Sequence, residues 1–412
     1  LQAAYNAGAI LPAAKFYGDG GMDRERTIEF ARNNFRQTVL MGNSNLKQGE
    51  YEWAARYYRQ ALQMAQMLDD NQSIFRLLQL QLQAAAGGED FISAAEIQRQ
   101  ILEYDLDSDA EAAGWGRLAV YEYRLGQADS AAISISRSVD IYYDAGYPDL
   151  AAESLLRLAA AVETEGGYVE AADYAGRALE IQRDENLPGS ALTAIYKGKM
   201  LLNAGQPDSA LQTLETVTAE ADLSPENRAL ALNFSGRAAE RVADFFRALE
   251  YFDAACQAAP DTIPALKAAA AQGLADIHFR LGNYEQTLKF LETAEGLYND
   301  AGLAENLYLI HNTRGLTQMR LGRLQPAEVS LKAALELCGA DGEKCDLKST
   351  AAIYKNLTLL YLDQGETSPA LFHSRRALEL DLERGDSLDI AYDRLLIAGQ
   401  ALELRNLNDA AR

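Results

Sequence analysis

Histidine, tryptophan and cysteine are scarce in these 412 residues, which contain three His, two Trp and three Cys. An enzyme needs titratable groups that converge, and His278, His311 and His373 are scattered along the chain, so they read as packing side chains. The P-loop, G-x-G-x-x-G, H-E-x-x-H and G-x-S-x-G signatures are also missing, which removes the common nucleotide, metalloprotease and hydrolase readings. No catalytic residue, metal site or cofactor is therefore expected. No run of eighteen apolar residues occurs, so no membrane-spanning helix is expected. β-Branched runs are few, and strands should be absent. Basic residues are in the minority, with 38 Lys and Arg against 60 Asp and Glu. The net charge of −22 opposes non-specific binding to nucleic acid or an anionic bilayer, and a solvated acidic surface accounts for it.

What the chain has instead is a pattern, first seen in Met41 to Leu62, MGNSNLKQGEYEWAARYYRQAL. Gly42 is a small residue inside a first helix and Gly49 ends that helix. Tyr51 lies at the turn, and Ala54, Tyr58 and Ala61 share one face of a second helix. The small position recurs as Gly42, Leu82, Ala119, Ala159, Gly198, Gly236, Ala275, Gly315, Thr358 and Ala398, at spacings of 37 to 43 residues. The second-helix alanine recurs as Ala54, Ala94, Ala131, Ala171, Ala210, Ala248, Ala327, Ala370 and Ala410, with Thr287 as the substitution. The helix-ending glycine recurs at Gly49, Gly126, Gly166, Gly205, Gly282, Gly322 and Gly365, where a left-handed cap favours a residue without Cβ. Gly88 lies one residue late for this slot, and Ala243 and Arg405 replace the glycine elsewhere.

This lattice resembles the tetratricopeptide repeat, whose pattern is W-x2-L-G-x2-Y, then A-x3-F, then P. A period near forty rather than about thirty-four is similar to the long-repeat branch of that family, found in bacterial regulators and transcription activators and in animal spindle-orientation and motor light-chain proteins. The resemblance covers residues 23–412 and implies an all-α solenoid of stacked αα-hairpins, with nine full repeats and the first helix of a tenth. It further implies a right-handed superhelix whose first helices line a concave face. Asp23 is placed to cap the first helix of the array. Residues 1–22 form an apolar appendage, closed by Tyr17-Gly18-Asp19-Gly20-Gly21, that packs either on the first repeat or on a partner. A start at Leu1 rather than Met is consistent with a cleaved signal peptide, a lipidated N-terminus that meets a membrane or membrane protein, or truncation. Asn406 to Arg412 reads as the turn and first residues of another second helix, so the native chain is expected to continue.

Carrying the family's register onto the first helices implies that Arg117, Tyr123, Arg157, Tyr196, Lys199, Phe234 and Arg237 line the groove. Basic and aromatic side chains interleaved on an acidic protein can hold an acidic or aromatic peptide; alternatively they pair with Glu153, Glu163 and Glu240 of the same groove. The family's carboxylate clamp is not expected, because Val39 occupies its lysine place before Asn43. The cations of a recurrent Arg-Leu-Gly, at Arg124, Arg280 and Arg320, sit in the last turn of first helices and complement the helix dipole, with Lys47 at the same place.

Cys338 and Cys345 flank the loop where the repeat lengthens to 43 residues and are close enough to form a disulfide, the alternative being free thiols in a reducing cytosol. Cys256 reads as a small buried hydrophobe. The reading that follows is a non-enzymatic scaffold for a protein or peptide partner, in the bacterial periplasm or on an outer-membrane assembly. The rivals are a cytoplasmic peptide-sensing regulator and a repeat module attached to a catalytic domain outside this chain.

Overall fold

The computed structural model describes residues 21–339 and 344–410, with side chains placed for 25–339 and 344–404. Among them there is no strand. The helices are α1 (Gly21–Lys47), α2 (Tyr51–Met67), α3 (Asn71–Gly87), α4 (Phe91–Ile101), α5 (Ser108–Arg124), α6 (Ala128–Asp144), α7 (Pro148–Thr164), α8 (Tyr168–Asp184), α9 (Ser190–Asn203) and α10 (Pro207–Thr218). They continue as α11 (Pro225–Arg241), α12 (Phe245–Ala258), α13 (Pro264–Arg280), α14 (Tyr284–Asp300), α15 (Leu307–Arg320), α16 (Leu324–Cys338), α17 (Leu347–Asp363), α18 (Thr367–Arg384) and α19 (Ser387–Ala410). In chain order these are nine pairs and the first helix of a tenth, the αα-hairpin architecture of a tetratricopeptide-type solenoid. Residues 1–200 and 201–412 form two compact units, and each is described by itself.

In the first unit the pairing principle is visible in repeat one. A Cβ added at Gly42 would stand 2.6 Å from the ring of Tyr58, which lies one turn beyond the fully buried Ala54. The two helices can therefore approach only where one offers no side chain. Ala94, Ala131 and Ala171 are likewise fully buried, as are Ala119 and Ala159 on the first helices. Leu77, Leu78, Leu82, Ile97 and Leu118 fill the space between pairs.

The second unit repeats the device. Gly236 faces Phe252 and Gly315 faces Leu331, four residues after the buried Ala248 and Ala327. Phe252 is also met by Gly273 of the next first helix, so one ring is lodged between α11 and α13. Thr287 and Thr358, which stand in for small residues, are fully buried, and each hydroxyl donates to the carbonyl four residues back in its own helix (Asn283 O at 3.3 Å, Tyr354 O at 3.0 Å). The last three helices share an ionic cluster in which Lys355 Nζ lies 2.7 Å from Asp381, 3.0 Å from Asp389 and 3.8 Å from Asp393. Arg384 contacts Asp381, Asp386 and Asp389 from the other side.

Three expectations at helix ends are corrected. Helix α1 is already formed at Gly21, so Asp23 lies inside its first turn instead of preceding it as a cap. In repeat two the left-handed residue is Glu89, at φ +57°, so Gly88 lies one residue early for the turn and not late, because the turn keeps its place relative to Leu82 whatever residue fills it. No turn occurs at Arg405: α19 runs through to Ala410, since nothing in Leu404-Arg405-Asn406-Leu407 stops a helix as a glycine would. Ala398 is accordingly exposed, with no second helix packed on it among the described residues. Residues 1–20, which hold nearly all of the apolar appendage, lie outside the described residues.

Two substitutions separate close packing from backbone strain. Gly236→Leu should cost about 1–3 kcal/mol, because its Cβ meets the Phe252 ring at 2.7 Å. Ala243→Gly should stabilise by about 1 kcal/mol, because Ala243 holds φ +61° in the α11–α12 turn. Chemical denaturation measures both, and a neutral Gly236→Leu would contradict the packing described.

Candidate functional site

First helices of successive pairs touch directly in places, α5 with α7 and α11 with α13. In the first unit, α5 starts at Asp107, whose carboxylate accepts the Ala110 N–H at 2.8 Å. It then presents Gly116, where a Cβ would stand 2.5 Å from Ser154 Oγ on α7. Ser154 and Ser138 share a hydrogen bond of 2.9 Å beneath this crossing. The backbones come together there, and a cavity of about 210 Å³ opens beside the contact.

Arg117 and Arg157, both expected groove residues, line this cavity together with Tyr121, Tyr142, Glu153 and Ser154. Arg117 Nε donates to Gln98 Oε1 at 3.2 Å, which anchors the guanidinium and leaves its terminal nitrogens for a ligand. Arg157 bridges to Glu153 at 2.6 Å one turn away on the exposed side of α7, a pair worth only a few tenths of a kcal/mol. Burial raises both phenols above the ordinary tyrosine value; Asp109 adds to the rise at Tyr142, and the arginines oppose it. Both are therefore protonated at neutral pH, and the Tyr142 hydroxyl already donates to Asp109. Two cations and two phenols around a small cavity suit recognition of a carboxylate or an aromatic side chain.

The other expected residues do not join this cavity. Tyr123 lies over the α7–α8 turn, with its hydroxyl where a Cβ on Gly167 would stand. Tyr196 and Lys199 converge on Glu163, the hydroxyl donating at 2.9 Å and the ammonium at 2.8 Å. Burial would raise the Glu163 carboxyl, but these two donors outweigh it and hold it below its ordinary value. Two of the three alternative internal pairings thus occur, to Glu153 and to Glu163. Glu240 is paired instead with Arg280, at 2.9 Å. Phe234 and Arg237 lie on α11 in the second unit, Phe234 half-buried and Arg237 exposed.

Tyr121, Tyr142 and Ser154 were not foreseen. Tyr142 comes from a second helix, which a register of first helices cannot reach; Ser154, by contrast, sits one position after Glu153 and could have been found from it.

Elsewhere, the Arg-Leu-Gly cations Arg124 and Arg280 do more than face a helix dipole. Arg124 pairs with Glu165 of the following repeat and lies 5.6 Å over Phe91, while Arg280 reaches back to Glu240. The histidines pack: His278 stacks on Phe290 and His373 on Tyr361, while His311 sits beside Glu295 and Arg314. Burial lowers all three below the usual imidazole value. Cys338 and Cys345 are joined, with Cα atoms 4.8 Å apart. Residues 340–343 of the loop they close lie outside the described residues. Cys256 is a half-buried free thiol, and burial raises it to about 11. No helix among the described residues is long and apolar enough to cross a membrane.

The sequence matches no family model and no curated protein. Among solved structures, the apo form of RapI is similar, with a TM-score of 0.53 at 13% identity over 85% of this chain and 99% of that one. A tetratricopeptide repeat protein from Parabacteroides merdae gives 0.45 at 14% identity, over 79% of this chain and 98% of its own. A thermophilic TPR protein from Thermus thermophilus gives 0.37 at 26% identity, over 52% of this chain and 99% of its own. The first likeness bears on the fold alone.

Asp276 on α13 provides a pH test of the environment around Arg237. Burial first, and then Glu240, raise its carboxyl to about 7, while Arg237 and Arg280 pull the other way. A carboxyl raised on folding stabilises the fold fully below its unfolded value near 3.8, and that contribution is lost as pH rises through about 7. Asp276→Asn should therefore flatten the fall in melting temperature between about pH 4 and about pH 7. An unchanged slope would show that Asp276 is solvated.

Proposed function

We propose that this chain is a non-enzymatic interaction scaffold that binds an acidic or aromatic segment of a protein partner on the first-helix face of residues 1–200. The observation that carries this reading is the meeting of Arg117 and Arg157 in one cavity with two phenols, on a molecule of net charge −22. Solubility alone would favour acidic residues in this groove as elsewhere. Binding that uses these cations should weaken as salt rises, because the ion pairs at the mouth of the cavity are screened.

The test is a quantitative pull-down from native extract, comparing the wild type with the double variant Arg117→Glu and Arg157→Glu. A specific partner should be lost by about tenfold or more, with helix content and melting temperature unchanged because both side chains are exposed. Full capture by the double variant would exclude this face.

We further propose an oxidising compartment, the bacterial periplasm or an outer-membrane assembly, supported by the joined Cys338 and Cys345. Mass spectrometry of unreduced protein taken from its native compartment should find this pair linked and Cys256 free. Three alkylated cysteines would remove the support for that location.

A further inference from the structure

A second groove in the first unit is the counterpart of the candidate cavity, two repeats earlier. It lies between α1 and α3, has a volume of about 460 Å³, and is lined by Phe35, Val39, Leu40, Leu77 and Leu80 with Arg36 and Arg76. Counted back from the left-handed residue that ends each first helix, Arg36 and Arg76 hold the same place as Ala113 and Glu153. Leu40 and Leu80 hold the place of Arg117 and Arg157. The two grooves are thus one device with its arginines moved by a single helical turn: apolar at the centre between α1 and α3, cationic at the centre between α5 and α7.

The chemistry of the α1–α3 groove specifies an occupant. Leu40 is 58% exposed, an unusual state for a leucine beside four other apolar side chains. Arg36 and Arg76 are exposed at its edge and have no ion-pair partner among the described residues, although carboxylates outnumber cations in the chain. An apolar floor bordered by two unpaired cations complements a segment in which large apolar side chains are followed by carboxylates. The chain's own first twenty residues match it less well, because Asp19 is their only carboxylate.

We propose that the partner segment is bipartite, with apolar side chains anchored between α1 and α3 under Arg36 and Arg76 and an acidic stretch running on to Arg117 and Arg157. This rests on the scaffold reading above and adds the class of ligand. Packed helices lie about 8–10 Å apart, so two repeats separate the grooves by on the order of 20 Å, which about six extended residues span.

Fluorescence polarisation with a labelled synthetic peptide, a pair of leucines followed by a run of glutamates, tests the proposal on the full chain. Controls replace the leucines by serine or the glutamates by lysine. The parent peptide should bind, and its affinity should fall about tenfold or more with the serine control and with Arg36→Glu plus Arg76→Glu. Loss of binding with Arg117→Glu plus Arg157→Glu alone, the leucines and Arg36 and Arg76 being without effect, would overturn this inference and leave the scaffold reading standing. Equal binding of the lysine peptide, or indifference to both double variants, would overturn both. Binding seen only after removal of residues 1–20 would overturn it by assigning the groove to the chain's own N-terminal segment. A dimer in sedimentation that is lost with Arg36→Glu plus Arg76→Glu would overturn it by assigning the groove to a second copy.

Discussion

The structure depends on close approach between the two helices of a pair, achieved by leaving out a side chain. Gly42 against Tyr58, Gly236 against Phe252 and Gly315 against Leu331 are three instances of one contact, a large side chain filling the place where a Cβ would be. Dispersion attraction falls off within an ångström of separation, so the gain is available only where the first helix carries almost nothing. Everything else is arranged around that contact. The left-handed turn seven residues on fixes the angle at which the chain returns, and the buried alanine one turn before the large residue lets the second helix lie flat.

That constraint is also why the fold was legible. The small residue recurs at nearly all of these places, Leu82 being the large exception, so it leaves a repeating mark from which helix pairs can be counted. Helix ends were less legible because several chemistries satisfy them. Glu89 and Ala243 accept a positive φ that glycine takes elsewhere, and Arg405 shows that where no such turn is formed the helix continues. A register derived from one residue type therefore locates elements more surely than it locates their ends.

The candidate site was legible only in part, for a different reason. Arg117 and Arg157 could be placed on one face by counting, but counting does not say which carboxylate a cation will choose. Lys199 and Tyr196 are taken up by Glu163 of the preceding repeat, and Arg124 and Arg280 link to glutamates about one repeat away. These exposed pairs contribute little energy each, but they decide which cations are left for a ligand. Several cations of this acidic chain find a carboxylate at home. Among the described residues Arg36, Arg76 and Arg117 do not, and the difference depends on side-chain geometry that no spacing rule contains.

Phe252 is lodged between glycines of two successive pairs, Gly236 in its own pair and Gly273 in the next. Arrays of this kind lengthen and shorten by duplicating or deleting whole units, and most junctions tolerate such events because each unit meets its neighbour through interchangeable leucines and alanines. The α12–α13 junction is different. A unit inserted there would have to bring a glycine at the place of Gly273, or the Phe252 ring would have nowhere to go. This stretch of the chain is therefore expected to change in length less freely over descent than the repeats on either side.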